Sequence, residues 1–269
     1  VPTVEQLKAV VTPETKCILL PNLIGNVPVW PEIRKAFPGV TLFEDSADTI
    51  THTVDTDIST TSFYASHVIT AGGIGGMVMF NDEEHLKRAL MYRDWGRIGD
   101  NIEEPSERFN HSVDGIPYDW KFLYGVPGYH LKACEMNAAF GLVQLDKLHD
   151  FLQKRRRNIR RYLENLKDTT YYTLPDDSQI PNWLAIPLQC PDRLELVNFL
   201  EENDVQTRVT FAGNITRHPA FRQYLQEFEN ADLIMKDGFL LGAHHGMDDT
   251  DVDRVCDLLK KFANTKVNA

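Results

Sequence analysis

The 269-residue sequence contains few cysteines, few basic residues and no long apolar run. Its four cysteines include no pair at the CxxC spacing, so a metal or redox pair of that kind is not predicted. The 28 Lys and Arg against 39 Asp and Glu give a net charge of −11, which argues against nucleic acid or an anionic membrane as a partner, since both require a basic surface. Apolar runs such as residues 17–20 are strand-sized and far shorter than the roughly 18 residues that span a bilayer.

The sequence also lacks an initiator methionine, and its first residues lack the basic and apolar regions of a signal peptide. Hydrophobic residues make up 42% and charged residues 25%, which is typical of a globular protein and excludes a disordered chain. The length accommodates one large domain or two ordinary ones. We expect the four cysteines to be buried free thiols in a protein of the reducing cytoplasm.

The first half of the sequence alternates strand patterns with helix patterns. This order predicts an α/β sheet with parallel strand pairs. The predicted strands are residues 17–20, 40–45, 59–64 and 77–80, and the predicted helices are residues 3–11, 31–37 and 82–95. Residues 97–130 are polar and irregular, which in a compact domain is typical of a lid or a subunit contact.

The second half predicts a long helical region and then a smaller α+β domain. The helical region covers residues 133–166, and we interpret its basic run at 154–161 as a solvated helix face, with an anion site as the alternative. Further strands are predicted at 183–188 and 205–211, and further helices at 193–203 and 249–263. We therefore divide the chain into a large domain, residues 1–155, and a small domain, residues 156–269.

Polar residues follow two of the predicted strands. Asp45 ends the second strand, and the carboxyl edge of a parallel strand is where such sheets bind ligands, although an N-cap or a surface carboxylate fits the same pattern. Ser62 and His67 flank the end of the third strand, ahead of a glycine-rich turn at 71–76. The glycine spacing matches neither standard phosphate loop, and a single histidine is more often structural than catalytic. On these residues alone, both interpretations remain open.

The order of these features resembles the DegT/DnrJ/EryC1/StrS family of PLP-dependent sugar enzymes. The resemblance covers nearly the whole chain and implies the aspartate aminotransferase-like fold (fold type I), an α/β large domain followed by a small C-terminal α+β domain. The matching stretches are Glu44-Asp45-x-Ala47, Ser62-Phe63-Tyr64-x-x-His67, Gly75-Gly76-Met77-Val78, Arg93-Asp94-Trp95-Gly96-Arg97, Pro127-Gly128-Tyr129-His130 with its continuation to Leu145, and Thr207-Arg208.

The resemblance also assigns residues that hold the cofactor, pyridoxal or pyridoxamine 5′-phosphate. Asp45 is expected to pair with the pyridine nitrogen, which keeps the ring protonated and able to take up electrons. Asp48 stands where relatives place a residue near the ring oxygen, and Ser62 is expected to donate to the phosphate. His130 replaces the Asn that in relatives reaches the phosphate of the neighbouring subunit; it is a candidate donor there, with a plain loop residue as the equal alternative.

His67 is the main departure from the aminotransferase pattern. It stands where the aminotransferases have the Lys that binds the cofactor covalently. Imidazole forms no such stable bond, but it moves protons at neutral pH. This resembles the sugar 3-dehydratases of the same family, in which the His deprotonates the cofactor–sugar adduct and the 3-hydroxyl leaves. One dehydratase branch adds an iron–sulfur cluster held by cysteines after the Arg-Asp motif; residues 93–101 contain no Cys, so no cluster is expected.

The resemblance therefore implies C3 deoxygenation of a nucleotide-linked 4-keto-6-deoxyhexose, with glutamate as amino donor. The alternatives are a nucleotide-sugar aminotransferase and a non-catalytic member of the family. Arg208 and Arg217 are candidate substrate contacts, with a surface ion pair as the alternative for Arg217. The pair His244-His245 suggests a metal, but adjacent residues point to different sides, so no metal site is predicted.

Two further expectations concern the whole protein. In the family that this chain resembles, each active site includes residues of the neighbouring subunit, so we expect a homodimer. Relatives also carry an N-terminal segment with a phosphate-binding loop and an aromatic residue that stacks on the ring, and nothing in this chain replaces them. We therefore expect the N-terminal part of the large domain to be missing from this sequence.

Overall fold

The computed structural model describes residues 1–99, 102–176 and 182–267, which form two compact units. Unit 1 comprises Val1–Pro21 and Pro28–Gln144, and unit 2 comprises Asn22–Val27 and Leu145–Ala269. The predicted boundary after residue 155 lies inside a helix, Leu148–Leu166, all of which belongs to unit 2.

Unit 1 contains a four-stranded sheet in the order β1-β2-β3-β4. The first three strands are parallel and β4 is antiparallel to β3. All four strands lie within a residue or two of their predicted positions: β1 is Cys17–Pro21, β2 is Thr41–Asp45, β3 is Ile58–Ser62 and β4 is Gly76–Phe80. Because β1 to β3 are parallel, their carboxyl ends lie at one edge of the sheet.

The helices of unit 1 that were predicted are present. They are α1 (Val4–Lys8), α2 (Trp30–Ala36) and α3 (Glu83–Arg93). Asp82 caps α3, where its carboxylate accepts the His85 backbone N–H at 2.8 Å. The buried core beside β1 and β2 consists of Leu7, Ile18, Trp30, Ile33, Phe37 and Leu42.

The segment predicted to be irregular contains secondary structure. A short helix, α4 (Pro105–Arg108), precedes a hairpin of β5 (His111–Val113) and β6 (Ile116–Tyr118), and a 3₁₀ turn follows at Trp120–Phe122. The hairpin turns at Asp114-Gly115, both with positive φ, which is the Asp-Gly turn signal that the polar composition obscured.

The predicted helical region 133–166 is two helices, α5 (Glu135–Asp146) and α6 (Leu148–Leu166). All of α6 belongs to unit 2, whereas α5 belongs to unit 1 except for its last two residues, Leu145 and Asp146. The basic run of α6 is not wholly solvated as predicted, because Arg155, Asn158 and Ile159 are buried. These residues share the buried face of the helix with Phe151 and Tyr162, at the spacing of three and four residues that defines one helix face.

Unit 2 is built on a three-stranded antiparallel sheet. The last of its three strands along the chain lies between the other two in the sheet. Its strands are β7 (Ala185–Gln189), β8 (Thr207–Val209) and β9 (Gly238–Gly242), and its other helices are α7 (Arg193–Glu202), α8 (Glu229–Asp237) and α9 (Asp249–Val267). The sequence interpretation missed α8 and β9. Four of the five residues of β9 are buried, so this central strand shows no alternating pattern.

The prediction of four buried thiols is wrong for two of them. Cys190 and Cys256 are buried, whereas Cys17 and Cys134 are exposed. Cys17 begins β1 and lies on the strand face opposite the buried Ile18, as alternation along a strand requires. In the described part of the chain, no helix is both long and apolar enough to cross a membrane.

Candidate functional site

Asp45 is the last residue of β2, at the carboxyl edge of the parallel strands. Its side chain is half-buried. Oδ1 accepts hydrogen bonds from the Ala47 backbone N–H at 3.1 Å and the Thr60 hydroxyl at 3.4 Å. No donor among the described residues reaches Oδ2. The carboxylate is therefore held in place through one oxygen and keeps the other as an acceptor for a ligand.

Glu44 lies on the opposite face of β2 and is fully buried, with no exposed surface. Its carboxylate accepts hydrogen bonds from the Thr51 hydroxyl (2.8 Å), the Thr53 backbone N–H (3.1 Å) and the Ser59 hydroxyl (3.1 Å). These bonds attach the loop at 46–57 to the sheet. Sequence interpretation missed this role, although the spacing of Leu42 and Glu44 by two residues places both on the same strand face.

Further hydrogen bonds close the same loop over the sheet. The buried Thr61 hydroxyl donates to the carbonyls of Ser46 and Thr49, and the Ser46 hydroxyl donates to the Thr51 carbonyl at 2.9 Å. Asp48 lies between these anchored residues. The hydrogen bonds made by the residues on both sides of Asp48 therefore position it.

Asp48 faces His67 across this edge. Its Oδ1 lies 3.8 Å from His67 Nε2, and the two side chains are only 13% and 19% exposed. At this separation, with little water between them, the carboxylate and the imidazole are placed to interact electrostatically. The structure therefore joins two residues that were assigned separately from the sequence.

The backbone around His67 forms a turn after β3, with the His67 N–H donating to the Tyr64 carbonyl at 3.0 Å. The other ring nitrogen, Nδ1, is buried and has no hydrogen-bond partner. The Tyr64 ring lies edge-on, with ring centroids 6.1 Å apart. A buried nitrogen without a partner is uncommon in a purely structural histidine. His67 is thus placed by the turn and by Asp48, and not by a saturated hydrogen-bond network.

Ser62 ends β3, opposite Gly76 in the β3–β4 register. Its hydroxyl accepts the Tyr64 backbone N–H at 3.2 Å and has its proton available for donation. The strand pairing also explains why position 76 is a glycine, since a Cβ on Gly76 would lie 2.7 Å from the Thr61 carbonyl oxygen. Ser62 and His67 consequently flank one short loop at the sheet edge, as the sequence predicted.

Asn137 of α5 is a positioning residue that sequence interpretation missed. Its side-chain Nδ2 donates to the Ala71 carbonyl at 2.6 Å, and its Oδ1 accepts the Cys134 thiol at 2.8 Å. Within the loop, the Thr70 hydroxyl donates to the Phe63 carbonyl and accepts the Gly73 N–H. The loop that carries His67 is therefore bonded internally and also to α5.

His130 lies in a different part of unit 1. Its ring stacks on Trp95 with centroids 4.3 Å apart and an angle of 17° between the planes. The two segments pass very close to one another, and a Cβ on Gly96 would lie 1.7 Å from the Val126 carbonyl oxygen. The structure does not bring His130 into contact with Asp45 or His67.

Arg208 and Arg217 belong to unit 2. Arg208 is exposed on β8 and donates to the Thr207 carbonyl at 2.7 Å. Arg217 pairs with both carboxylate oxygens of Asp232, and this pairing holds the pKa of Asp232 well below its ordinary value. Its guanidinium thus has a carboxylate partner inside its own unit, as the surface ion-pair interpretation anticipates.

The residues at the edge of unit 1 suit a pyridoxal-type cofactor. Asp45 has an acceptor oxygen for a pyridine N–H, and Ser62 has a hydroxyl proton for a phosphate. The His67 imidazole has a buried Nδ1 without a hydrogen-bond partner. No lysine stands between residues 40 and 80 to bind the cofactor covalently. Among the described residues, no group of three or more His, Cys, Asp or Glu could hold a metal ion.

Comparison with known proteins shows the family of the chain. The model of the DegT/DnrJ/EryC1/StrS aminotransferase family matches residues 1–260. A dTDP-4-dehydro-2,6-dideoxy-D-glucose 3-dehydratase of Saccharopolyspora spinosa is 34% identical over 97% of this chain and 62% of its own length. Relatives at lower identity include aminotransferases, such as a dTDP-4-dehydro-2,3,6-trideoxy-D-glucose 4-aminotransferase of the same organism, at 26% over 97% of this chain and 69% of its own length.

Solved structures give the same result. The Escherichia coli GDP-4-keto-6-deoxy-D-mannose-3-dehydratase with bound hydrated PLP is 26% identical, with a TM-score of 0.81 over 96% of this chain and 70% of that one. A GDP-4-keto-6-deoxymannose-3-dehydratase with a trapped PLP-glutamate geminal diamine is 25% identical, with a TM-score of 0.82 over 96% and 71%. These matches confirm the predicted fold type I architecture. The chain spans less than two thirds of the length of the Saccharopolyspora dehydratase.

Proposed function

The chain belongs to the DegT/DnrJ/EryC1/StrS aminotransferase family, and we propose that it acts there as a PLP- or PMP-dependent 3-dehydratase of a nucleotide-linked 4-keto-6-deoxyhexose. The observation that carries the proposal is the shielded pair of His67 and Asp48, 3.8 Å apart, and we infer from the resemblance that His67 stands where the aminotransferases have the cofactor-binding Lys. Glutamate is proposed as the amino donor and a homodimer as the active assembly.

Each residue has one proposed task. Asp45 accepts the pyridine N–H through its available oxygen, Ser62 donates its hydroxyl proton to the phosphate, and His130 is proposed as a donor to the phosphate of a neighbouring subunit. Arg208 is proposed as a substrate contact, and so is Arg217, which would then have to exchange its bond to Asp232. When bound, the cofactor supplies a protonated ring that takes up the electron pair released when a neighbouring carbon loses its proton.

His67 carries the proton transfer. Nε2 is the reactive nitrogen because Nδ1 is buried, and the neutral imidazole accepts a proton there. Asp48 stabilises the positive ring that results, since its carboxylate faces the same nitrogen in a region where little water screens the charges.

The test uses the protein supplied with PLP, glutamate and a nucleotide-linked 4-keto-6-deoxyhexose. We expect the resting protein to bind PLP without a covalent bond, so that borohydride reduction traps no cofactor on the chain. We expect His67→Asn to abolish release of the 3-hydroxyl and to retain the absorption band of bound PLP. Covalent trapping after reduction, or transamination without loss of the hydroxyl, would instead identify an aminotransferase. A protein that binds no PLP at all would favour a non-catalytic role.

A further inference from the structure

Arg155 of α6 is a buried arginine in unit 2 and takes part in no step proposed above. Only 2% of its surface is exposed. Its Nη1 donates to the Leu184 carbonyl at 2.8 Å, whereas its Nε is buried and has no hydrogen-bond partner. A guanidinium has five N–H donors, and a buried one is normally saturated by carboxylates or several carbonyls. Arg155 is therefore an incompletely satisfied buried cation.

The charge of Arg155 is also uncompensated. Of the carboxylates in the part of the chain that the structure describes, none lies within ion-pair distance of it. On the same helix, the more exposed Arg157 pairs with Asp249 at 3.2 Å, and Arg161 pairs with Asp249 at 3.1 Å and Asp253 at 2.6 Å. This is the reverse of the usual order, since a buried charge needs a partner far more than an exposed one does.

Burial lowers the pKa of Arg155 to about 10, which still leaves the guanidinium charged at neutral pH. A buried charge without a counter-ion destabilises the folded state. Any anion that reached the guanidinium would therefore bind favourably and stabilise unit 2.

Two histidines, His244 and His245, lie close enough to Arg155 to be influenced by its charge. The His245 ring stacks on Phe151, one turn before Arg155, with centroids 3.5 Å apart, and its Nδ1 is buried without a partner. The pKa values of His244 and His245 are lowered, first by burial and then by the charge of Arg155.

Acidic groups act on these histidines in the opposite direction. Asp251 raises the pKa of His244 and Asp150 raises that of His245, but each is the smallest of the contributions. Lys154 also lowers the pKa of His245. Unit 2 thus contains a charged guanidinium and an imidazole that both have a buried nitrogen without a hydrogen-bond partner, Arg155 Nε and His245 Nδ1.

We propose that unit 2 contains an oxyanion-binding site, in which Arg155 Nε and the His245 ring bind a carboxylate or a phosphate-like group. Both ligands present oxygens at the spacing that a guanidinium edge recognises. The site requires neither the cofactor nor the sugar, so it stands independently of the dehydratase proposal.

The test titrates sodium phosphate, sulfate, acetate and L-glutamate into the whole protein, without cofactor, at constant ionic strength in chloride buffer. Binding is followed by calorimetry and by the rise in Tm. We expect at least one anion to bind, and Arg155→Met to weaken that binding by about tenfold or more, the value of one charged hydrogen bond. Preference for phosphate and sulfate over acetate and glutamate distinguishes a tetrahedral ligand from a carboxylate.

Three further variants keep the test decisive. Arg157→Met removes an exposed, paired arginine of the same helix and should leave anion binding unchanged. Arg155→Lys retains the charge if the Met variant does not fold, and should bind the anion more weakly because it lacks the planar fork. His245→Phe retains a ring to stack on Phe151 but has no Nδ1, and should weaken binding severalfold.

The same experiments can overturn the proposal. It fails if none of the four anions binds the unmodified protein, or if Arg155→Met binds them as the unmodified protein does. In chloride buffer we expect Arg155→Met to raise the Tm, because it removes an unpaired buried charge. A lower Tm of Arg155→Met together with unchanged anion binding would show that Arg155 only stabilises the fold, through its hydrogen bond to the Leu184 carbonyl.

Discussion

Asp48 Oδ1 lies 3.8 Å from His67 Nε2, in a position where both side chains are largely shielded from water. A second Asp–His pair of similar length occurs on the surface of unit 1, where Asp82 Oδ1 lies 3.6 Å from His85 Nδ1 and both side chains are more than half exposed. The two pairs have the same chemistry and differ in burial. They therefore provide an internal comparison for what shielding from water contributes at the candidate site.

Asp48→Asn should slow turnover without changing how much cofactor is bound. The neutral amide no longer stabilises the positive imidazole, and we expect kcat to fall about tenfold, which corresponds to about 1.4 kcal/mol. Steady-state kinetics and the absorption spectrum of bound PLP measure the two quantities. Asp82→Asn is the matched control and should leave kcat unchanged, because Asn still caps α3 and the exposed pair is screened. An equal loss of kcat in both variants would contradict the assignment.

Glu44→Gln should destabilise unit 1. The buried carboxylate accepts hydrogen bonds from Thr51, Thr53 and Ser59, and the amide replaces one accepting oxygen by an NH₂ group that faces donors. We expect the free energy of unfolding to fall by about 1–3 kcal/mol, measured by urea denaturation. Glu32→Gln, on the exposed side of α2, should change it by less than about 0.5 kcal/mol. Turnover should fall as well, because the loop that carries Asp48 loses its attachment to the sheet.

Gly96→Ala should destabilise the region around His130. Gly96 has a φ of +88°, and an added Cβ would lie 1.7 Å from the Val126 carbonyl oxygen, so the two segments must separate. We expect a loss of about 2–4 kcal/mol in the free energy of unfolding, from the backbone conformation and the steric clash together. Gly39→Ala is the control, since no atom lies within 4 Å of its Cβ position. Hydrogen exchange at residues 95–97 and 125–130 would localise the effect.

The four cysteines should react with a thiol reagent in two classes at pH 8. Cys134 and Cys17 are exposed and should react in the folded protein, with Cys17 slower because its pKa is raised by partial burial and by Asp57. Cys190 and Cys256 should react only after unfolding, since burial raises their pKa values to about 11 and about 12. Cys134→Ser should remove the fast phase. Four equally fast thiols would contradict the described burial.

The same shifts predict an alkaline loss of stability. The folded-state pKa values of both buried thiols lie above the unfolded value of about 8.5. The neutral thiol is therefore favoured by folding, and this contribution is fully present below about pH 8.5 and is lost as the pH rises through about 11 to 12. The free energy of unfolding should therefore fall between pH 8 and pH 11. This fall should be smaller in Cys256→Ala than in the unmodified protein, when each is compared with its own value at pH 8.

Much of unit 1 could be predicted from sequence because its signals are local. The strands that end at Asp45 and Ser62 have apolar or β-branched patterns bounded by polar turns, and α3 begins at a recognisable cap on Asp82. The elements that were missed lack such signals. The strands of the hairpin at 111–118 have only three residues each, too few to show an alternating pattern, and β9 is a central strand in which four of the five residues are buried.

By itself, the sequence determined the family and the fold type, and it predicted that His67 stands where aminotransferases have Lys. The family match over residues 1–260 confirms this membership of a family of PLP-dependent enzymes. These properties depend on the order and identity of the residues, which are the same whether or not the chain is folded.

Only the tertiary structure decided which of the predicted residues meet. It joined Asp48 to His67, revealed Glu44 and Asn137 as supports of their loops, gave Arg217 a carboxylate partner and buried Arg155 without one. These outcomes depend on contacts between residues far apart in sequence. They are set by how the sheet edge and the helix faces pack, because burial and charge pairing are properties of the packed molecule and not of the local pattern.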